Sequence, residues 1–385
     1  MESTRQRLTT LLTMLSERDE IQRALLDLPL DDSMLDRVSE LFELRDFAVG
    51  DALVEESSPN VDTVMILVQG KADALVSPTT VDGRPGEPQV VGRLDPLDVI
   101  GEIGLVMRTP RTATVKATAT PVFALAIDRD SLAQLSQIHP GLANGLVRWC
   151  AQNAADKNGR TRWMHDKAYP IGMEVKGEQD LQAAAMLAPD FALADIERRY
   201  VSKGAKTVKL VRERLQELHC FEWEKDEVTD EVAKLFQLIK VPAKRGILAE
   251  GEMGDSLLIL SRGIANIRKR EGELVHGWVA NHKHPVHAVL GEVAFLNPGA
   301  RTGTVVAASS CELLEIKIDA VPALVACAPR LAQHLHLGVL RAVCPKLADT
   351  SSDRATAEAV TQGDWEQWFV QDDYYTKKLK SLDLS

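Results

Sequence analysis

Short runs of aliphatic and β-branched residues, closed by glycine, alternate along this chain with longer stretches whose apolar residues recur every three or four positions. Thr63–Gln69 (TVMILVQ) and Ser256–Arg262 (SLLILSR) belong to the first class, ending at Gly70 and Gly263. Such runs predict strands joined by tight turns. Phe47–Asp51 precedes the first run as Val241–Gly246 precedes the second. Ser131–Asn153 carries Leu132, Leu135, Ile138, Leu142, Leu146 and Trp149 at helical steps. Pro322–Leu347 repeats this with Leu324, Cys327, Leu331, Leu335, Val339 and Val343, and both predict helices with one buried face. Between them, Leu181–Leu187, Leu193–Tyr200 and Val208–Leu218 read as helical, interrupted by Pro170, Pro189 and Gly204. From Ala348 the chain turns polar, then aromatic at Trp365, Trp368, Phe369, Tyr374 and Tyr375.

One motif occurs twice. Residues 99–117 read VIGEIGLVMRTPRTATVKA and residues 289–307 read VLGEVAFLNPGARTGTVVA. Gly101-Glu102 matches Gly291-Glu292, Arg111-Thr112 matches Arg301-Thr302, and Thr114-Val115 matches Thr304-Val305. All sit at one offset of 190 positions, far beyond the roughly 20–50 residues of a solenoid repeat. The pattern is a duplicated domain. Strands followed by helices predict a mainly β protein with flanking helices (α+β), two barrels or jelly rolls joined by a helical connector. The expected divisions are an N-terminal helix (1–24), a first domain (25–156), the connector (157–214), a second domain (215–347) and a tail (348–385).

Composition narrows the partners. Lys and Arg total 45 against 56 Asp and Glu, a net charge of −11. That charge disfavours general binding of nucleic acid or anionic membrane, and an aromatic content of 5% disfavours base-stacking platforms. Any phosphate must be held by a local site. Five scattered cysteines (Cys150, Cys220, Cys311, Cys327, Cys344) suit free buried thiols in a reducing compartment. With no signal-peptide pattern and no long apolar run, a cytoplasmic location is expected.

The repeated motif has the chemistry of an anion site. A glycine permits close backbone approach, and a short helix starting at Glu102 would turn its free N–H groups toward an anion. Arg111, aimed by Pro110, offers a planar two-pronged donor to a phosphate. A carboxylate would repel phosphate, so Glu102 suits a sugar hydroxyl. Phosphate beside hydroxyl is what a nucleotide presents. The competing reading, an exposed Glu–Arg pair worth under about 1 kcal/mol, does not explain why both copies keep the spacing.

Leu94–Ala117 (LDPLDVIGEIGLVMRTPRTATVKA) resembles the phosphate-binding cassette of cyclic nucleotide-binding domains, in particular that of regulatory subunits of cAMP-dependent protein kinase. The resemblance covers roughly 25–140 and 218–340 and implies two jelly rolls with helices at both ends. It implies that Gly101, Glu102, Ile103, Gly104, Arg111, Thr112 and Ala113 contact the ligand, with the acidic residue on the ribose and the arginine on the cyclic phosphate. In the second copy the same roles fall on Gly291, Glu292, Val293, Ala294, Arg301, Thr302 and Gly303. That copy departs from the pattern with Pro298-Gly-Ala-Arg301, with Gly303 in place of Ala, and in its approach Asn281–Ala288, so weaker or altered binding is expected there. Thr112 and Thr302 leave cAMP and cGMP both open, with cAMP favoured.

In such domains an aromatic or apolar group often covers the base. Trp149 and Trp163 are candidates for the first site, and Trp365, Trp368, Tyr374 and Tyr375 for the second; Trp149 equally suits helix packing. His282, His284 and His287, and the pair His334 and His336, lack further metal ligands and read as solvated, so no metal is expected. No catalytic motif is present, so a non-catalytic sensor is expected, with no cofactor and with cAMP or cGMP as ligand. Its output would pass to a protein effector through repacked helices. A kinase-inhibiting regulatory subunit is one alternative, for which only Arg5-Gln-Arg7-Leu-Thr9 approaches an inhibitor segment. A scaffold with a vestigial second site is another.

Overall fold

A computed structural model of the chain describes residues 3–26, 30–59, 62–78, 84–107, 109–119, 121–168, 199–200, 204–218, 221, 223–271, 274–281 and 289–344. Two antiparallel barrels of the same design account for most of it. In the first, one sheet runs in the order β1 (Glu43–Phe47), β8 (Val122–Asp128), β3 (Thr63–Gln69), β6 (Val99–Ile100). Its partner runs β2 (Ala52–Val54), β7 (Thr114–Ala117), β4 (Ala72–Val76), β5 (Gln89–Leu94). The second barrel repeats both orders with 236–241, 311–317, 256–262 and 289–290, and with 246–248, 304–307, 264–271 and 274–281. It adds a short ladder, Met253–Gly254 against Gly299–Ala300.

The central strands are apolar on both faces because both faces are covered. Met65 and Leu67 point into the first barrel, while Val64 and Ile66 point into the helical layer. Leu258 and Leu260 against Leu257 and Ile259 repeat this in the second. The barrels therefore keep separate cores. Their helices share one, a single cluster that includes Leu8, Leu11 and Leu15 as well as Leu142, Leu146, Leu331, Leu335 and Val339.

Each predicted post-barrel helix is two helices. The first breaks at His139, between Arg129–Ile138 and the 29-residue α6 (Pro140–Ala168). The second breaks at Ala328, between Val321–Cys327 and a helix over 329–344. Both break residues precede a proline, whose ring disfavours helical backbone just before it. Arg199 and Tyr200, read from sequence as helical, instead pair with Lys240 and Ile239 at a sheet edge. Leu181–Leu187, residues 193–198 of the next predicted run, the histidines at 282–287 and the aromatic tail lie outside the described residues. Val208–Leu218 falls largely within the helix Ala205–Glu217.

His336 corrects its solvated reading: it is fully buried, its Nδ1 3.1 Å from Asn144 Oδ1. Burial drives its pKa down to about 3, with the Arg148 charge acting in the same direction, so it is neutral at physiological pH. Cys150, Cys311 and Cys344 are buried, and Cys327, against expectation, is exposed. Burial raises the Cys150 thiol to about 12, helped by the Glu102 charge, and raises Cys311 to about 11. Among the described cysteines, a thiol reagent at neutral pH should label Cys327 first, and peptide mapping of the folded protein will show it. Equal labelling of Cys150 would contradict this packing.

Candidate functional site

In the first copy, Val99–Ile100 leads into Gly101 at φ 94° and then a helix, α4 (Glu102–Met107). Gly101 is required on two grounds: the left-handed backbone, and space, since a Cβ would overlap the Arg111 guanidinium and lie 2.7 Å from Thr63 O. Leu105 N–H is bonded to Gly101 O, so helix geometry leaves the N–H groups of Glu102, Ile103 and Gly104 at the open end. The second copy repeats the arrangement, with Gly291 at φ 75° and a helix over Glu292–Leu296. Glu102, Gly104 and Arg111 are buried with Ile103 half-buried, and Glu292, Ala294, Arg301 and Val293 follow the same pattern. The exposed-pair reading is excluded, because Glu102 and Arg111 are 4% and 7% exposed.

Backbone clamps aim both arginines. Ser57 N–H donates to Arg111 O at 2.8 Å and Arg111 N–H to Ser58 O at 3.1 Å. Gly251 N–H to Arg301 O and Arg301 N–H to Glu252 O do the same in the second copy. Thr114 Oγ1 accepts from Glu56 N–H, and Thr304 Oγ1 from Glu250 N–H. These threonines had no assigned role, although their recurrence in both copies was the available signal. Thr112, Ala113 and Gly303 are half-buried beside their arginines, and Thr302 is exposed.

The arginines differ in what they touch. Arg111 Nη2 donates to Thr63 O at 2.7 Å, whereas Nε and Nη1 find no hydrogen-bond acceptor among the described residues. Burial lowers its pKa, opposed by the nearby Glu102 charge, and a guanidinium stays cationic nonetheless. Arg301 Nη1 donates to Ser256 O at 2.8 Å and Gly291 O at 3.0 Å, and its Nη2 to Ser256 Oγ at 3.0 Å. Gly254 lies so close to that guanidinium that a Cβ there would overlap it.

The match to a family model decides what these features are: the description is cyclic nucleotide-binding domain, and residues 44–139 and 238–326 match it. The chain carries two cyclic nucleotide-binding domains. The regulatory domain of Toxoplasma gondii PKA, solved with cAMP, is 17% identical. Its match covers 83% of this chain and 93% of that one at a TM-score of 0.28. A regulatory subunit of a cAMP-independent protein kinase A from Trypanosoma brucei, in a mutant form bound to cAMP, is 18% identical, covering 86% and 90% at 0.28. Overlays this loose leave the assignment resting on the family match. Acetyltransferase Pat of Mycolicibacterium smegmatis is 36% identical over 106 residues, and the match spans 28% of this chain and 29% of that protein.

Helix α6, the long helix after the first domain's barrel, touches both cassettes. From one stripe, Trp149 Nε1 donates to Leu97 O at 2.9 Å, Asn153 Nδ2 to Asp98 Oδ1 at 3.0 Å, and Lys157 Nζ to Glu102 Oε1 at 2.8 Å. From the adjoining stripe, Arg148 and Gln152 donate to Leu296 O, and Asp156 accepts from Asn297 Nδ2. Trp149 is thus a buried packing group, 3% exposed, rather than a surface waiting for a base. The side chain of Trp163 lies outside what is described. Lys157, beside the expected ribose acceptor, was not found from sequence because its partner is 55 positions away.

Proposed function

We propose that the chain is a non-catalytic, cytoplasmic sensor that binds cAMP at its first cassette, with its second cassette as a weaker site. The observation that carries this reading is Arg111: a buried guanidinium with two N–H-bearing atoms unmatched by any described residue, set over a left-handed glycine at the open end of a helix. A cyclic phosphate supplies the missing acceptors, and Glu102, held by Lys157 through one oxygen, keeps lone pairs for a ribose hydroxyl. Thr112, half-buried beside Arg111, is the residue through which cGMP could compete. Thermal melting with cAMP tests the reading. At ligand a hundredfold above its dissociation constant, the folded state gains about 2.7 kcal/mol, and an unmoved melting temperature at millimolar cAMP and cGMP would defeat it.

The double contact of α6 supports coupling between the sites, with the signal passing to a protein effector. Arg301→Ala should change cAMP affinity at the first site within the roughly 5–150-fold range of allosteric couplings. First-site affinity that is unchanged in this variant would rule coupling out. A protein kinase is one candidate effector, as for the regulatory subunits the sequence resembles. Direct inhibition through Arg5-Gln-Arg7-Leu-Thr9 is disfavoured: the segment lies in the helix Thr4–Ser16, Arg5 is paired with Asp32 and Asp36, and Arg7 lies over the Phe123 ring. No helix among the described residues is long and apolar enough to cross a membrane.

A further inference from the structure

At one interior position the two barrels differ in charge. On strand Cys311–Lys317, Cys311 and Leu313 belong to the core inside the second barrel. Strand alternation therefore turns Glu315 inward too, and it is 2% exposed. Glu315 pairs with Leu258 as Ala126 pairs with Met65 in the first barrel, where Ala126 is part of the barrel core. A carboxylate has replaced a methyl group in a place where an unpartnered charge is costly.

Its partner leads to the site. Glu315 Oε1 accepts from the Ser256 hydroxyl at 2.7 Å, and that hydroxyl accepts from Arg301 Nη2 at 3.0 Å. Guanidinium, hydroxyl and carboxylate form a continuous chain from the cassette into the barrel. Glu315 Oε2 has no hydrogen-bond partner among the described residues, so the carboxylate's described hydrogen bonding runs through Ser256 to Arg301. Among the described residues the first copy has no counterpart: Arg111 bonds the Thr63 backbone oxygen, and Ala126 offers no charge.

We propose that Glu315 is a positioning residue, an internal counter-ion that holds Arg301 against Ser256 and lowers the second site's affinity for an anionic phosphate. This rests on the reading of Arg301 as a phosphate ligand. A phosphate arriving at the second site meets an arginine whose charge is already partly answered from behind. One arriving at the first meets an arginine that has the Glu102 and Asp62 charges nearby but, among the described residues, no carboxylate linked to it from the barrel interior. The second cassette's own departures from the motif already set the sites apart; this interior residue adds a difference from outside the motif.

The test is calorimetric titration of the full chain with cAMP in an Arg111→Ala background, so that heat reports the second site. Glu315→Gln keeps the shape and an acceptor for Ser256 while removing the charge, and Glu315→Ala installs the first barrel's residue. Each should tighten binding about tenfold, the scale of one charged hydrogen bond. A merely structural residue would weaken binding when replaced, so the direction of the change is diagnostic. Equal or weaker affinity in both variants, with an unchanged circular dichroism spectrum, overturns the proposal. If the Arg111→Ala parent gives no heat, binding gained in either variant supports it and continued silence in both overturns it. In that last case cAMP binding by the chain with Arg111 intact leaves the sensor reading standing, and silence there as well overturns both.

Discussion

Replacing Arg111 by Ala should weaken cAMP binding at the first site about 10–150-fold, the effect of losing a charge-assisted contact of roughly 1.5–3 kcal/mol. The side chain is well suited to carry so much. It is buried beside Gly101, fixed at its backbone by Ser57 and Ser58, and anchored through Nη2 on Thr63 O. Its remaining donors are therefore held ready before ligand arrives, and little ordering entropy is lost on binding. The folded state should tolerate the change, since the truncation removes unmatched donors and strands only Thr63 O. Titration calorimetry with a parallel melt separates the outcomes: a large loss of affinity with a nearly unchanged melt is expected. Undiminished first-site affinity would mean that phosphate, if bound, is bound elsewhere.

The largest stability effect is expected from Arg148→Met. Arg148 is 1% exposed and donates to Asp19, Gln22, Gln152 and Leu296 O, joining the N-terminal helices, α6 and the second cassette's helix. Removing one partner of a buried ion pair costs about 3–5 kcal/mol. Asp19 is one-third exposed, so about 3 kcal/mol is expected, read as a lowered urea midpoint. The pH dependence gives a second check. Burial by itself pushes the Asp19 carboxyl up, but the Arg148 charge and the hydrogen bonds from Gln22, Gln152 and Arg148 outweigh it and leave it below its usual 3.8. A carboxyl depressed in the folded state contributes stability that is present above 3.8 and lost as pH falls through the lower folded value. The gap between wild type and variant should therefore be wide at pH 7 and narrow below about pH 3.8. A gap that stays constant with pH would show that Arg148 acts by packing alone.

Much of this was legible in the sequence because it is local. The glycine, the acidic residue that opens a helix, and an arginine ten positions on form one short segment, and their repetition at one offset exposed the duplication. The two-faced apolar strands and the helix faces were readable for the same reason. What escaped depends on chain crossings. Lys157 meets Glu102 only because α6 runs along the first cassette. Trp149 was as good a base cover as a core residue until its indole N–H was seen bonded to Leu97 O. His336, polar and near another histidine, is buried because the helix over 329–344 meets α6 at Asn144, which bonds both Pro329 O and the imidazole. Glu315 sits in a strand whose alternation is apolar inward, and a lone glutamate there looks like a surface residue until Ser256 and Arg301 are placed beside it. Register and interdomain packing, rather than pattern, decide those four.

The central claim is that the first cassette binds a cyclic nucleotide through Arg111, and titration calorimetry of the intact chain with cAMP, then cGMP, tests it most directly. Saturable heat with cAMP, dominated by a tight site that Arg111→Ala removes, is the predicted result. A second, weaker phase would report the other cassette. No heat with either nucleotide, together with no rise in melting temperature, would contradict it and make the cassettes a retained framework for another ligand or a protein partner.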